Sequence, residues 1–259
     1  MLTFRSIKSL YRLAFAEGEG IGTAYEYFAK RLVLGRWLTG RARAKRVLIA
    51  GLPEKYGSSL DFLLIAQELG ATEIVVAEDR PSALEKGRQG LVAAQAMGEL
   101  SGLQPQFVLC SDLERMPELT PGFDVCLGSE VLQRLSAAAG QRYVTTLTKL
   151  ARAIVLFAPN GDNPSHTNIS GLSGLRLTDL QALLQTVGAR AEVGYIDMPP
   201  FPPGITRSAV QRQQASSGRL EGMVMWGLAY YARLERLFPI KWRRHYSHIV
   251  YALTPPASS

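Results

Sequence analysis

Histidine and cysteine are scarce in this 259-residue chain, at three and two residues, and no spacing among them suggests a metal site. Cys110 and Cys126 lie inside apolar runs and read as small core residues. The absence of a disulfide framework suits a reducing compartment. No uninterrupted apolar stretch is long enough to span a bilayer, and no signal-peptide cleavage pattern is present, so a cytoplasmic protein is expected. Two phosphate-binding glycine motifs are also missing. Gly51 is followed by Leu52, Pro53, Glu54, Lys55 and Tyr56 rather than by G-x-G-x-x-G, and Ser58 follows Gly57 where a phosphate loop would carry more spacing and a lysine.

What is there is an ordinary globular composition with a basic bias. Hydrophobic residues make up 47% of the chain, enough for a real core, and the formal net charge is +7. That charge fits either an anionic partner, such as a glycan or lipid surface, or simply a basic exterior. Nucleic acid is the less favoured partner, and a homodimer is left open.

The organising stretch is Arg46–Pro81. Val47–Ile49 reads as a strand buried on both faces, Gly51 and Gly57 bracket a turn, and Ser58 or Ser59 can cap the helix that follows. Leu60, Leu63, Leu64, Ala66 and Leu69 have helical spacing, and Ile74–Val76 forms a second strand ending in Glu78 and Asp79. Such a βαβ unit brings its first turn and the acid of its second strand to one crevice, and a ribose-bearing ligand without pyrophosphate fits it best. Strands are then predicted at 106–110, 123–128, 153–158, 191–196 and 247–253. Helices are predicted after Pro81, from Ser129 towards Leu150, and over 177–187. The expected fold class is α/β, a doubly wound, mostly parallel seven-stranded sheet.

Two additions flank it. Residues 1–44 read as two helices, with Phe4, Ile7, Leu10, Tyr11, Leu13 and Ala14 on one face of the first. They either cover a sheet edge or form a lid from which Tyr25 or Tyr27 reaches a substrate. Residues 198–244 form an insertion, with a proline-stiffened MPPFPPG loop and an apolar helix over 222–238. Core packing and peripheral membrane contact both remain open for that helix. The domain itself spans 45–253, with a tail at 254–259.

With these residues in place, the chain resembles the class I S-adenosylmethionine-dependent methyltransferases. VLIAG at 47–51 resembles the family's first strand and glycine turn, and Glu78 ahead of Pro81 resembles its ribose-binding acid. Ser111-Asp112-Leu113 resembles its adenine-side segment. Phe123-Asp124-Val125 with Ser129-Glu130-Val131-Leu132 resembles its fourth strand and following helix, and Ile154–Asn160 its fifth strand. Ile49 stands where the family usually has an acid, Pro53 where a second glycine is common, and Gln133-Arg134 where Glu-His is often found.

The resemblance implies S-adenosyl-L-methionine as cofactor and a Rossmann-like sheet with an antiparallel last strand. The implied cofactor-binding residues are Gly51, Leu52, Pro53, Lys55, Gly57, Glu78, Asp79, Asp112, Leu113, Ser129 and Glu130. Lys55 would meet the methionine carboxylate. The acceptor would be a small molecule or a glycan- or lipid-linked compound, with Tyr25, Tyr27 and Asn160 as candidate contacts. His166, in the loop leaving the fifth strand, and Asp162 are the candidate bases. Two alternatives stand beside methyl transfer: a non-catalytic, methyltransferase-like binding protein and a membrane-peripheral scaffold.

Overall fold

The computed structural model describes residues 5–38, 44–55, 57–200 and 219–255. Seven strands form one sheet in the order β3-β2-β1-β4-β5-β7-β6. They are β1 (Arg46–Ala50), β2 (Glu73–Glu78), β3 (Gln106–Leu109), β4 (Val125–Ser129), β5 (Ile154–Pro159), β6 (Glu192–Ile196) and β7 (Ile249–Leu253). The β1–β2, β1–β4, β2–β3 and β4–β5 pairs are parallel, while β7 runs antiparallel between β5 and β6. The expected fold class is therefore the observed one. β1 and β4 read as short apolar runs because both their faces are covered.

One face carries Val47, Ile49, Val76, Leu127 and Phe157. It shares a core with α1 (Ile7–Ala16), α2 (Ile21–Trp37), α3 (Leu60–Leu69), α4 (Pro81–Ala96) and α8 (Arg219–Leu234). The other carries Leu48, Ala50, Cys126, Leu156 and Val250 against α5 (Ala137–Leu150) and α7 (Leu177–Thr186). Two short helices, α6 (Pro164–Ser170) and α9 (Ile240–Tyr246), follow β5 and precede β7 respectively. Both cysteines are buried and free, as their apolar settings predict.

The N-terminal pair belongs to the core. Ile7, Leu10, Tyr11, Leu13 and Ala14 are all buried, as their spacing predicts; Phe4 lies outside the described residues. Helix α2 buries residues around most of its circumference, including Lys30 and Arg31, because it packs between α1 and α8. A helix enclosed in this way must pair its charges internally. Tyr25 and Tyr27 correct the lid expectation: the first is bonded to Glu235 and the second to Glu17, both inside the structure.

Three boundaries differ from expectation. No helix opens at Ser129. That residue ends β4, a short 3-10 turn covers Leu132–Arg134, and α5 starts after Ser136, whose hydroxyl accepts from Ala139 N–H. Ser58 and Ser59 do not cap α3 with their side chains: Ser59 has φ +61° and no capping bond. Glu17 does that work from the α1–α2 turn, accepting from the N–H groups of Ser58 and Leu60 at 2.7 and 3.2 Å. The apolar insertion helix spans Arg219–Leu234, and Phe201–Gly204 of the proline-rich loop lie outside the described residues.

Candidate functional site

Because β1, β2, β4 and β5 are parallel, their carboxyl ends gather Gly51, Glu78, Ser129 and Pro159 at one end of the sheet. That end is where open α/β sheets bind ligands. Gly51 sits at φ +80°, a conformation that favours glycine. Glu78 has no solvent exposure. Its carboxylate accepts from the N–H groups of Leu52, Asp79 and Arg80 at 2.7, 3.0 and 3.2 Å. Arg80 adds two guanidinium bonds of 2.9 Å, and Arg134 reaches across from the β4–α5 connection at 3.1 Å. Burial alone would raise the Glu78 pKa. The Arg80 hydrogen bonds and the Arg134 charge outweigh it and hold the group well below the usual carboxylate range.

The expected ribose acid is thus placed at the crevice but bonded within the chain. Asp79, partly exposed, faces Arg134 at 3.6 Å, and its pKa is raised to about 6 by the hydrogen bond and charge of Glu78 and by burial. A Cβ placed on Gly51 would collide with Val131 Cγ2 and lie 3.4 Å from Leu113 Cδ2 and 3.6 Å from an Arg134 terminal nitrogen. The cradle over the glycine therefore holds the chain's own Val131, Leu113 and Arg134. Asp112 closes a local turn by accepting from Glu114 N–H at 2.8 Å and pairs with Arg115 at 3.4 Å. Lys55 donates to the Ser170 carbonyl. Leu52 is buried, Pro53 offers its carbonyl to Arg80, and Gly57 lies at φ +67° beside the Tyr27 hydroxyl.

Next to the glycine turn is a buried polar cluster. Lys30 Nζ lies 2.5 Å from Glu26, 3.1 Å from Ser129 Oγ and 3.9 Å from Asp61, above the rings of Phe62 and Phe157. Burial opposes its charge, but Glu26 and Asp61 raise its pKa. Asp61 is fully buried and neither carboxylate oxygen has a hydrogen-bond partner among the described residues; burial pushes its pKa up to about 7 despite Lys30. Glu130, at φ +55°, accepts from Glu54 N–H at 3.2 Å, and burial followed by the Glu26 charge raises it to about 7. Sequence reading singled out Ser129 and Glu130 here but missed Glu17, Glu26, Lys30 and Asp61. The signals were present: Glu26 and Lys30 stand four apart on one helix face, and Asp61 occupies the first turn of α3.

The residues beyond β5 form a separate network. Asn160 is buried and fully used: Nδ2 donates to the Arg244 and Ser247 carbonyls, and Oδ1 accepts from Asp162 N–H. Its expected substrate contact is replaced by a role in pinning the start of β7. Asp162 accepts from Arg244 at 2.9 Å and from the Tyr195 hydroxyl at 3.1 Å. His166 stacks on His248 at 4.1 Å between ring centres, and burial followed by the His248 charge lowers its pKa to about 3. His248 Nδ1 lies 3.2 Å from Asp197, whose charge outweighs burial and raises the His248 pKa. No group of three or more potential metal ligands occurs among the described residues.

The site fits a nucleoside in kind, with an ionised carboxylate at the end of β2 and a glycine cradle that no Cβ could share. In the conformation described, Val131 and Arg134 take up that cradle. Both belong to the segment between β4 and α5, which Glu130 enters through a left-handed backbone conformation.

No protein-family model matches the chain, and no curated protein matches it. Solved structures do. The methyltransferase domain of bacterial CtHen1 aligns with a TM-score of 0.53 at 13% identity, covering 88% of this chain and 97% of that one. A SAM-dependent methyltransferase from Archaeoglobus fulgidus gives 0.53 at 12%, covering 88% and 91%. The plantazolicin methyltransferase BpumL, solved with SAH, gives 0.54 at 12%, covering 96% of each chain. At such identities the likeness concerns architecture: the chain has the Rossmann-like fold of class I methyltransferases.

Proposed function

We propose that this chain is an S-adenosylmethionine-dependent methyltransferase whose nucleoside crevice is closed by its own side chains in the conformation described. The observation that carries the reading is Glu78, an ionised carboxylate at the end of β2 beside the Gly51 turn, within the sheet order given above. The plantazolicin methyltransferase, of like fold and solved with SAH, supports the choice of cofactor.

The sulfonium of that cofactor supplies an activated methyl group, so the chain's residues mainly align an acceptor and exclude water. Glu78 would hold the ribose hydroxyls once Arg134 and the Arg80 guanidinium both withdraw from it, and Gly51 would let the backbone approach the nucleoside once Val131 withdraws. Little acid–base work is required, which suits a His166 held neutral by burial. The acceptor class we favour is a small molecule or a glycan- or lipid-linked compound.

Titration calorimetry with S-adenosylhomocysteine tests the reading on the wild type and on Arg134→Ala. Affinity is reduced by the fraction of molecules in the open state, so removing the closing guanidinium should tighten binding several-fold. Absence of binding by both proteins at millimolar ligand sinks the cofactor assignment and favours a non-catalytic relative.

A further inference from the structure

We infer that α9 and the outer stripe of α8 form a docking surface for an anionic phospholipid membrane. Eleven large apolar side chains are exposed among the described residues, and eight of them fall between 223 and 246. Trp226 and Tyr230 stack on α8, and Leu237, Ile240, Trp242 and Tyr246 continue the exposed surface. Helix α9 buries none of its seven residues, although they include Ile240, Trp242 and Tyr246. Its contacts among the described residues are made at one side, by Arg243 to the Tyr195 carbonyl, Arg244 to Asp162 and the edge of Trp242 near Phe238, and the faces of Ile240, Trp242 and Tyr246 are left open.

Charge selects the occupant. The only acid between 223 and 246 is Glu235, which is buried against Tyr25 and Met198 N–H. The five arginines and lysines of the same stretch are Arg233, Arg236, Lys241, Arg243 and Arg244. Arg236 and Lys241 are exposed and have no ion-pair partner among the described residues. With no exposed acid in the stretch to oppose its cations, the mixture of tryptophan, tyrosine, aliphatic and basic side chains suits the headgroup boundary of an anionic bilayer. A peripheral mode is required, because no described helix is long and apolar enough to cross a membrane. The surface also lies at the ligand end of the sheet, since α9 leads into β7 at Ile249, the partner of Pro159 at the end of β5. The inference stands independently of the cofactor reading.

The test is cosedimentation of the full chain with vesicles of phosphatidylcholine alone and of phosphatidylcholine with phosphatidylglycerol, each at low and high salt. Binding is expected on the anionic vesicles, weakening as salt rises. Lys241→Ala should cost about fivefold in partition. Trp226→Ala with Trp242→Ala should abolish binding while changing the melting temperature only slightly, since both rings are more than half exposed. Tryptophan emission of the wild type should shift to the blue on binding, from those two residues rather than from buried Trp37. Failure to sediment with anionic vesicles overturns the proposal, as does binding that survives the double substitution. So does a dimer in light scattering that the substitutions dissociate without changing the vesicle partition.

Discussion

Glu78 and Asp61 are both buried carboxylates, but their surroundings give opposite consequences. Glu78 satisfies three backbone N–H groups and two guanidinium groups. Glu78→Ala would strand those donors, so it should cost about 3–5 kcal/mol in denaturant unfolding before any question of ligand affinity arises. Asp79→Ala removes only a partly exposed 3.6 Å ion pair and should cost less than about 1 kcal/mol. Asp61 has no hydrogen-bond partner among the described residues, and burial raises its folded pKa to about 7. Its raised value means that the folded chain binds the proton more tightly than the unfolded chain does. Ionising it between the ordinary carboxyl value of about 4 and pH 7 therefore destabilises the fold. Asp61→Asn should raise the melting temperature by a few degrees at pH 8, by less at pH 5 and hardly at all below pH 4. Equal shifts across that range would contradict the assigned ionisation.

At the scale of elements, the turn between α1 and α2 does more than connect helices. Its Glu17 supplies the missing N-terminal cap of α3 and accepts from the Tyr27 hydroxyl. Glu17→Ala should cost about 2–4 kcal/mol, as the sum of a lost cap and a buried hydroxyl left unpaired. Chemical denaturation would check this, and a loss below about 0.5 kcal/mol would deny the capping role. The helices themselves were legible, because Leu10, Leu13 and Ala14 repeat at helical spacing. The cap was not. GEGIG reads locally as a break, and only the docking of α1 and α2 on α3 shows where its acid points. The same limit explains the error at Ser129, where apolar spacing suggests a helix but strand pairing with Phe157 extends β4 through that residue.

Across the whole molecule, strand number and the antiparallel last strand were foreseen from apolar runs and family resemblance. Short buried strands bounded by glycine and polar turns carry a strong local signal. The crevice was only half legible. Glu78 could be located by counting back from Pro81, but its occupation by Arg134 depends on residues 56 positions apart meeting across the sheet. The buried cluster of Glu26, Lys30 and Asp61 likewise joins two elements whose local patterns say nothing of each other.

The joining of early and late residues bears on how the chain is made. Tyr25 bonds to Glu235, and the Trp37 indole donates to the Thr254 carbonyl. Helix α2 emerges from the ribosome long before either partner. At about 5–20 residues per second, roughly 10–40 s separate Trp37 from Thr254 during translation. Through that interval the parts of α2 that meet α8 and Thr254 have no native cover, so its final packing must wait until those later segments have been made.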